Sequence, residues 1–191
     1  LSKRVNHGAA KREPSGASLS VWNPDRWLVL LRVVVGVWFL KAVWTKLTLA
    51  FFLGVIPYPA VSPRFLGFHP KRVAEFAAGN PLGWYKEFLE GTVLPNAKLF
   101  ATLQAYGEVC VGVGLVLGLF TGVSALVGLF LSLNYGLATQ WMSFGQQGFH
   151  ALLVTSMVIF LGCRAGRRWG LDGWILSRVG APRPRWLSLL I

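Results

Sequence analysis

Four long apolar stretches dominate this chain: Trp27 to Phe51, Lys98 to Phe120, Gly122 to Met142 and Phe149 to Arg164. Each approaches or reaches the roughly 20 residues that a helix needs to cross the hydrocarbon core of a bilayer. The fourth is the shortest and is expected to borrow an end turn or to tilt slightly. Hydrophobic residues make up 54% of the chain and charged ones 14%, with a mean hydropathy of +0.53. Those values belong to a polytopic membrane protein rather than a soluble domain. A backbone in lipid must satisfy its own hydrogen bonds, so the expected fold is all-α. It is an integral four-transmembrane-helix bundle over residues 26–176, between a basic tail at 1–25 and a second tail at 177–191.

The excess of 19 Lys and Arg over 7 Asp and Glu is not spread evenly. Lys3, Arg4, Lys11, Arg12 and Arg26 precede or open the first stretch, and Arg164, Arg167, Arg168, Arg178, Arg183 and Arg185 end or follow the fourth. By the positive-inside rule both termini are expected in the cytoplasm, as an even number of spans requires. The nearly balanced segment Phe52 to Asn96 then lies outside. No run interleaves basic and stacking residues as nucleic-acid binding demands, so anionic lipids are the expected counter-charge. Residues 1–25 lack the apolar core of a cleaved signal peptide, which leaves the first span as the insertion signal.

Within the outer loop, Pro70 to Ala78 reads as a short helix begun by proline and stopped at Gly79 and Asn80. Pro81 to Leu94 places Trp84, Tyr85, Phe88 and Leu89 among Lys86, Glu87 and Glu90, an amphipathic segment expected at the outer interface. Cys110 and Cys163 both fall inside spans and form neither a disulfide framework nor a redox pair.

Small residues recur every four positions in the second stretch, at Cys110, Gly114 and Gly118 and then on to Gly122, and in the third, at Ser124, Gly128, Ser132 and Gly136. Such stripes let helix backbones approach closely, so these two spans are expected to pack as a tight hairpin. Gly112 lies off the stripe, so leucine there is expected to be milder than at Gly118 or Gly128.

Glu108 is the one acid between Ala97 and Phe120. A carboxylate at that depth costs roughly 2.5–3.5 kcal/mol on insertion scales, and so needs a partner or a task. At about 100° per residue it points away from the small stripe, together with Gln104. Lys41 and Lys46 are its candidate cations. Lys46, Gln104, Asn134, Trp141 and His150 fall in the outer half and are expected to line a half-polar cleft with Glu108. An ion pair of purely structural meaning fits Glu108 equally well, His150 also suits an interfacial position, and Arg32 and Lys41 can snorkel. No haem, flavin, nucleotide, iron–sulfur or metal motif is present; His7 and His69 lie outside all four stretches.

The runs GWYKEFLEGTVLPNAKLFA from Gly83, YGEVCVGVGLVLGLFTGVSALVG from Tyr106 and GRRWGLD from Gly166 carry a family likeness. With Arg32, Gly36, Phe39, Lys46 and Leu47 in the first span, the chain resembles DoxX-type membrane proteins. It is most similar to the DoxD-like small subunit of thiosulfate:quinone oxidoreductase. That resemblance covers about residues 26–176 and implies a four-span bundle in a bacterial or archaeal cell membrane, a quinone-linked setting and partner subunits. On this reading Glu108 exchanges the proton that accompanies quinone reduction, while Lys46, Gln104, Asn134, Trp141 and His150 contact the quinone. A non-catalytic subunit that stabilises a larger respiratory or photosynthetic complex is the alternative. A transporter is disfavoured, since no inverted repeat or broken helix is apparent.

Overall fold

The computed structural model describes residues 24–179; the expectations for both tails lie largely outside them. Four long helices run α1 (Pro24–Trp44), α4 (Ala97–Leu117), α5 (Thr121–Thr139) and α6 (Phe144–Cys163). Helix α4 packs between α1 and α5, and α6 packs on α5 and closes back on α1. Each helix gives residues to one core: Val35 and Phe39, Val111 and Leu115, Ala125 and Leu131, and Leu153, Met157 and Phe160. By length and composition, α4, α5 and α6 are each able to cross a membrane. Helix α6 begins at Phe144, capped by the Ser143 hydroxyl, which accepts from the Gln146 amide. The short apolar stretch from Phe149 thus gains the end turn it was expected to borrow, because the polar Gln146 and Gln147 that hid its start from a hydropathy reading are helical.

The first apolar stretch is not one helix. α1 stops at Trp44, and Leu47–Phe52 and Ile56–Val61 form an antiparallel hairpin, β1 and β2, paired Leu47 to Val61 through Phe52 to Ile56. The all-α expectation is corrected at this point. A continuous apolar run does not by itself distinguish helix from strand, and Leu53 and Gly54, at φ 52° and 73°, reverse the chain.

Beyond the hairpin, α2 (Pro63–Ala78) starts one turn and more earlier than expected. The Ser62 hydroxyl caps it at the Phe65 amide, and Pro70 sits inside the helix rather than at its start. α3 (Gly83–Phe88) runs into a π-helical turn at Leu89–Val93. The amphipathic pattern of this segment is used against protein as well as toward the outside. Tyr85, Leu89 and Val93 bury against Val73, Ala77 and Ala138, while Trp84 stays exposed. Together α2 and α3 form a cap over one end of α4 and α5. α7 (Leu171–Arg178) follows α6 at the opposite end.

Helices α1 and α4 cross with their backbones close together. A Cβ at Gly36 would lie 2.9 Å from the Val116 amide nitrogen and 3.1 Å from the Gly112 carbonyl oxygen, and one at Gly112 would lie 3.0 Å from the Leu40 nitrogen. Gly112 thus occupies a tight crossing, contrary to the milder effect expected there. On the α4–α5 hairpin, Gly114 makes room for Ser124 as the stripes implied. The upper stripe of α5 instead faces α6: Gly128 admits Met157, and Gly136 admits His150. Small residues show where a helix allows approach, but periodicity cannot say which neighbour takes the space.

Candidate functional site

The helix spacing of Gln104 and Glu108 sets them on one face of α4, one turn apart. The Lys46 ammonium lies 2.5 Å from both carboxylate oxygens of Glu108. Gln104 Nε2 donates to Glu108 Oε1 at 3.3 Å, and the Tyr135 hydroxyl, from α5, donates to the same oxygen at 2.5 Å. The Glu108 side chain is 3% exposed and that of Lys46 13%. A carboxylate so far from water needs its charge paired and its lone pairs filled, and both conditions are met here.

Lys46 reaches Glu108 because α1 has already ended. Its amide closes a turn on the Val43 carbonyl and its carbonyl accepts from Ser62, so the residue stands at the root of the hairpin. Ala101 and Ala105, both fully buried on α4, leave room for Phe65 of α2. The Phe65 ring lies 5.2 Å from the Lys46 ammonium, and one turn later the His69 ring stands 5.6 Å from Phe65. His69 is buried, and its Nδ1 has no hydrogen-bond partner. Burial, and then the Lys46 charge, push its pKa below the ordinary histidine value, while Gln104 beside it works the other way.

On the other side of Tyr135 stands His150. The two rings are 6.2 Å apart, and His150 Nε2 lies 3.0 Å from the Thr139 hydroxyl. Polar groups therefore follow one another across the bundle, from His69 on α2 through Gln104 and Glu108 on α4 and Tyr135 on α5 to His150 on α6.

Lys46, Gln104 and Glu108 are brought together as expected of the sequence, with His150 beyond Tyr135. Lys41 is not the partner of Glu108: it is exposed, with its ammonium 5.5 Å from the Trp38 ring. Asn134 and Trp141 are engaged elsewhere. The Asn134 amide donates to Phe130 in its own helix, and its main-chain oxygen accepts from the Tyr85 hydroxyl at 3.0 Å. The Trp141 indole donates to the Ala138 carbonyl and fills the space over Gly79. With Asn80, which donates to the Leu137 carbonyl, they fasten the α2–α3 cap to α5.

A second polar cluster lies at the other end. Arg32 is 1% exposed and donates to the carbonyls of Ala165, at 2.8 Å, and Trp169, at 3.2 Å, so it does not snorkel. Asp172, fully buried, accepts from the amides of Phe120 and Thr121 at 2.7 and 2.9 Å. Those amides open α5 after a turn in which Gly118 and Phe120 have φ of 64° and 46°. The Asp172 carboxylate thus caps a helix start that its own turn cannot satisfy.

The family model described as TQO small subunit DoxD matches residues 27–191. The chain belongs to the DoxD family. The family name makes it a small subunit of a membrane complex of the thiosulfate:quinone oxidoreductase type. No curated protein and no solved structure matches the chain. In this DoxD chain the WGLD run ends on the capping Asp172, and the GE pair of α4 carries Glu108. Sequence reasoning missed Tyr135 and His69. Tyr135 follows Asn134, already marked as polar, and its face of α5 was the available signal. His69 stands one helical turn from Phe65 and was passed over because it lies outside the apolar stretches.

Proposed function

We propose that this DoxD chain is the integral membrane subunit of a quinone-linked oxidoreductase, and that the Lys46–Glu108–Tyr135 cluster with His69 receives the quinone headgroup. The observation that carries this reading is the Glu108 carboxylate, buried in a membrane bundle and held by an ammonium, a phenol and an amide. Intramembrane ionisable groups of this kind mark functional sites by default. The polar set also fits the ligand: the Lys46 ammonium can donate to a carbonyl oxygen, and so can the orphaned Nδ1 of His69 in the tautomer protonated there.

A bound quinone supplies carbonyl oxygens that take up electrons and protons. Lys46 and His69 orient the headgroup, and Phe65 excludes water from beside the ammonium. Glu108 exchanges the proton, and Tyr135 donates to it from between Glu108 and His150. Electrons come from partner subunits, since the proposed roles of this chain are binding and proton handling alone. In this reading α1, equal in length to α4, is the fourth span. Both ends then face the cytoplasm of a bacterial or archaeal cell, where the basic tails meet anionic lipids.

A photoreactive azidoquinone added to the purified complex tests this directly. Label competed by unmodified quinone is expected on the peptides holding Lys46 and His69; label confined to other subunits rules the site out. The second reading is an accessory subunit whose Glu108–Lys46 pair serves packing alone. The saturation of Glu108 by three side-chain donors favours it.

A further inference from the structure

The β1–β2 hairpin is the most exposed apolar element among the described residues. Leu53 and Val55 at its tip are 84% and 78% exposed, with Phe51, Phe52 and Ile56 beside them at 60%. No charged side chain occurs between Lys46 and Arg64. Strand alternation puts Leu49 and Phe51 on one face and Phe52, Ile56 and Tyr58 on the other, so both faces are apolar. A hairpin that lay in water against one partner would keep its far face polar. A surface apolar on both sides suits a medium that surrounds it.

The backbone points the same way. Proline cannot donate, so the pairs Leu49–Pro59 and Phe51–Pro57 are the ones whose main-chain groups face away from the partner strand. On the outer edge of β2 two amide donors are therefore missing, and the Pro59 carbonyl already accepts from the Tyr106 hydroxyl at 2.8 Å. That edge asks little of water and offers poor pairing to a partner strand. The outer edge of β1 keeps the amides of Leu49 and Phe51, which require oxygen acceptors and so hold the strands at headgroup depth, while the tip beyond them carries no such edge. Trp44, 88% exposed where α1 ends, marks the same level, as tryptophan does at membrane boundaries.

We propose that the hairpin is a lipid-immersed wedge, its strands at headgroup depth and its tip at Leu53–Val55 dipping into the acyl chains beside the end of α1. This surface is distinct from the Glu108 cluster, and the inference does not depend on quinone binding. The partner is the lipid itself.

The test uses the full chain in nanodiscs of phosphatidylcholine and phosphatidylglycerol, with Cys110→Ala and Cys163→Ala removing the two exposed native thiols. A nitroxide is attached to Leu53→Cys in one sample and to Val55→Cys in another, and its collision rates with oxygen and with a nickel chelate are measured. Oxygen collisions are expected to exceed nickel collisions several-fold at both sites. Nickel-dominated collision at either site puts the tip in water and overturns the proposal. Low collision rates with both reagents mean that protein, either a second copy or another subunit, covers the tip, and overturn it equally.

Discussion

Lys46 and Glu108 are 62 positions apart in the chain, yet the ammonium of one touches both oxygens of the other at 2.5 Å. The contact exists because the first helix ends two residues before Lys46 and the chain turns into a hairpin there. Glu108→Gln leaves that ammonium mostly buried without its counter-charge, a loss expected at roughly 3–5 kcal/mol. Lys46→Met in the same background is expected to restore most of it. A double-mutant cycle in detergent melts measures the coupling, and additive losses would show that the pair carries no interaction of its own.

The glycines at the α1–α4 crossing face backbone atoms, which cannot rotate aside as a side chain can. Gly36→Ala and Gly112→Ala should each lower the melting temperature, by an amount typical of core overpacking, about 1–3 kcal/mol. Gly67 on α2 and Gly148 on α6 have open space where a Cβ would go. Alanine there is expected to be neutral or to stabilise by up to ~1 kcal/mol through helix propensity. Equal losses at all four positions would remove the close crossing from the explanation of how this bundle packs.

The first apolar stretch shows how far hydropathy reaches. α4, α5 and most of α6 were legible, because a bilayer demands length and apolarity and both are written in composition. The hairpin was not, since Leu47–Phe52 is as apolar as a helix and only the reversal at Leu53–Gly54 separates the two. At the site, helical spacing gave Gln104 with Glu108, but nothing local could choose Lys46 over Lys41. That choice is made by the turn after Trp44. Tyr135 and His69 come from other elements, and their approach to Glu108 is a product of tertiary packing.

His69 gives the chain a pH dependence. Its pKa is lowered in the folded protein, chiefly by burial and then by Lys46. The neutral ring is the form the fold accepts, so the stability tied to it is complete above the unfolded value of about 6.5 and is lost as pH falls through the lower folded value. Melting at pH 7.5 is expected to exceed melting at pH 5.5, with the gap narrowed in His69→Gln. An unchanged gap would assign the effect to other groups.

Asp172 holds two amides at the start of α5, that of Thr121 buried and that of Phe120 partly so. Asp172→Ala strands both, at about 1–3 kcal/mol each. Asp172→Asn retains one acceptor oxygen and should lose less. Hydrogen exchange at the Phe120 and Thr121 amides reads the change locally: faster exchange is expected in both variants, most in alanine. Protection equal to wild type would mean that Asp172 does not cap the helix.

Quinone-dependent turnover per assembled complex is the most direct measurement of the Glu108 site. Tyr135→Phe keeps the Lys46–Glu108 pair and removes only the hydroxyl that donates to Glu108. Glu108→Gln, with Lys46 left in place because it is a proposed headgroup contact, removes the carboxylate. With proton exchange through this cluster, both variants assemble, and turnover falls by about 100-fold or more without Glu108 and by a smaller factor without the Tyr135 hydroxyl. Wild-type turnover in both, measured on equal amounts of assembled complex, would contradict a quinone site at Glu108.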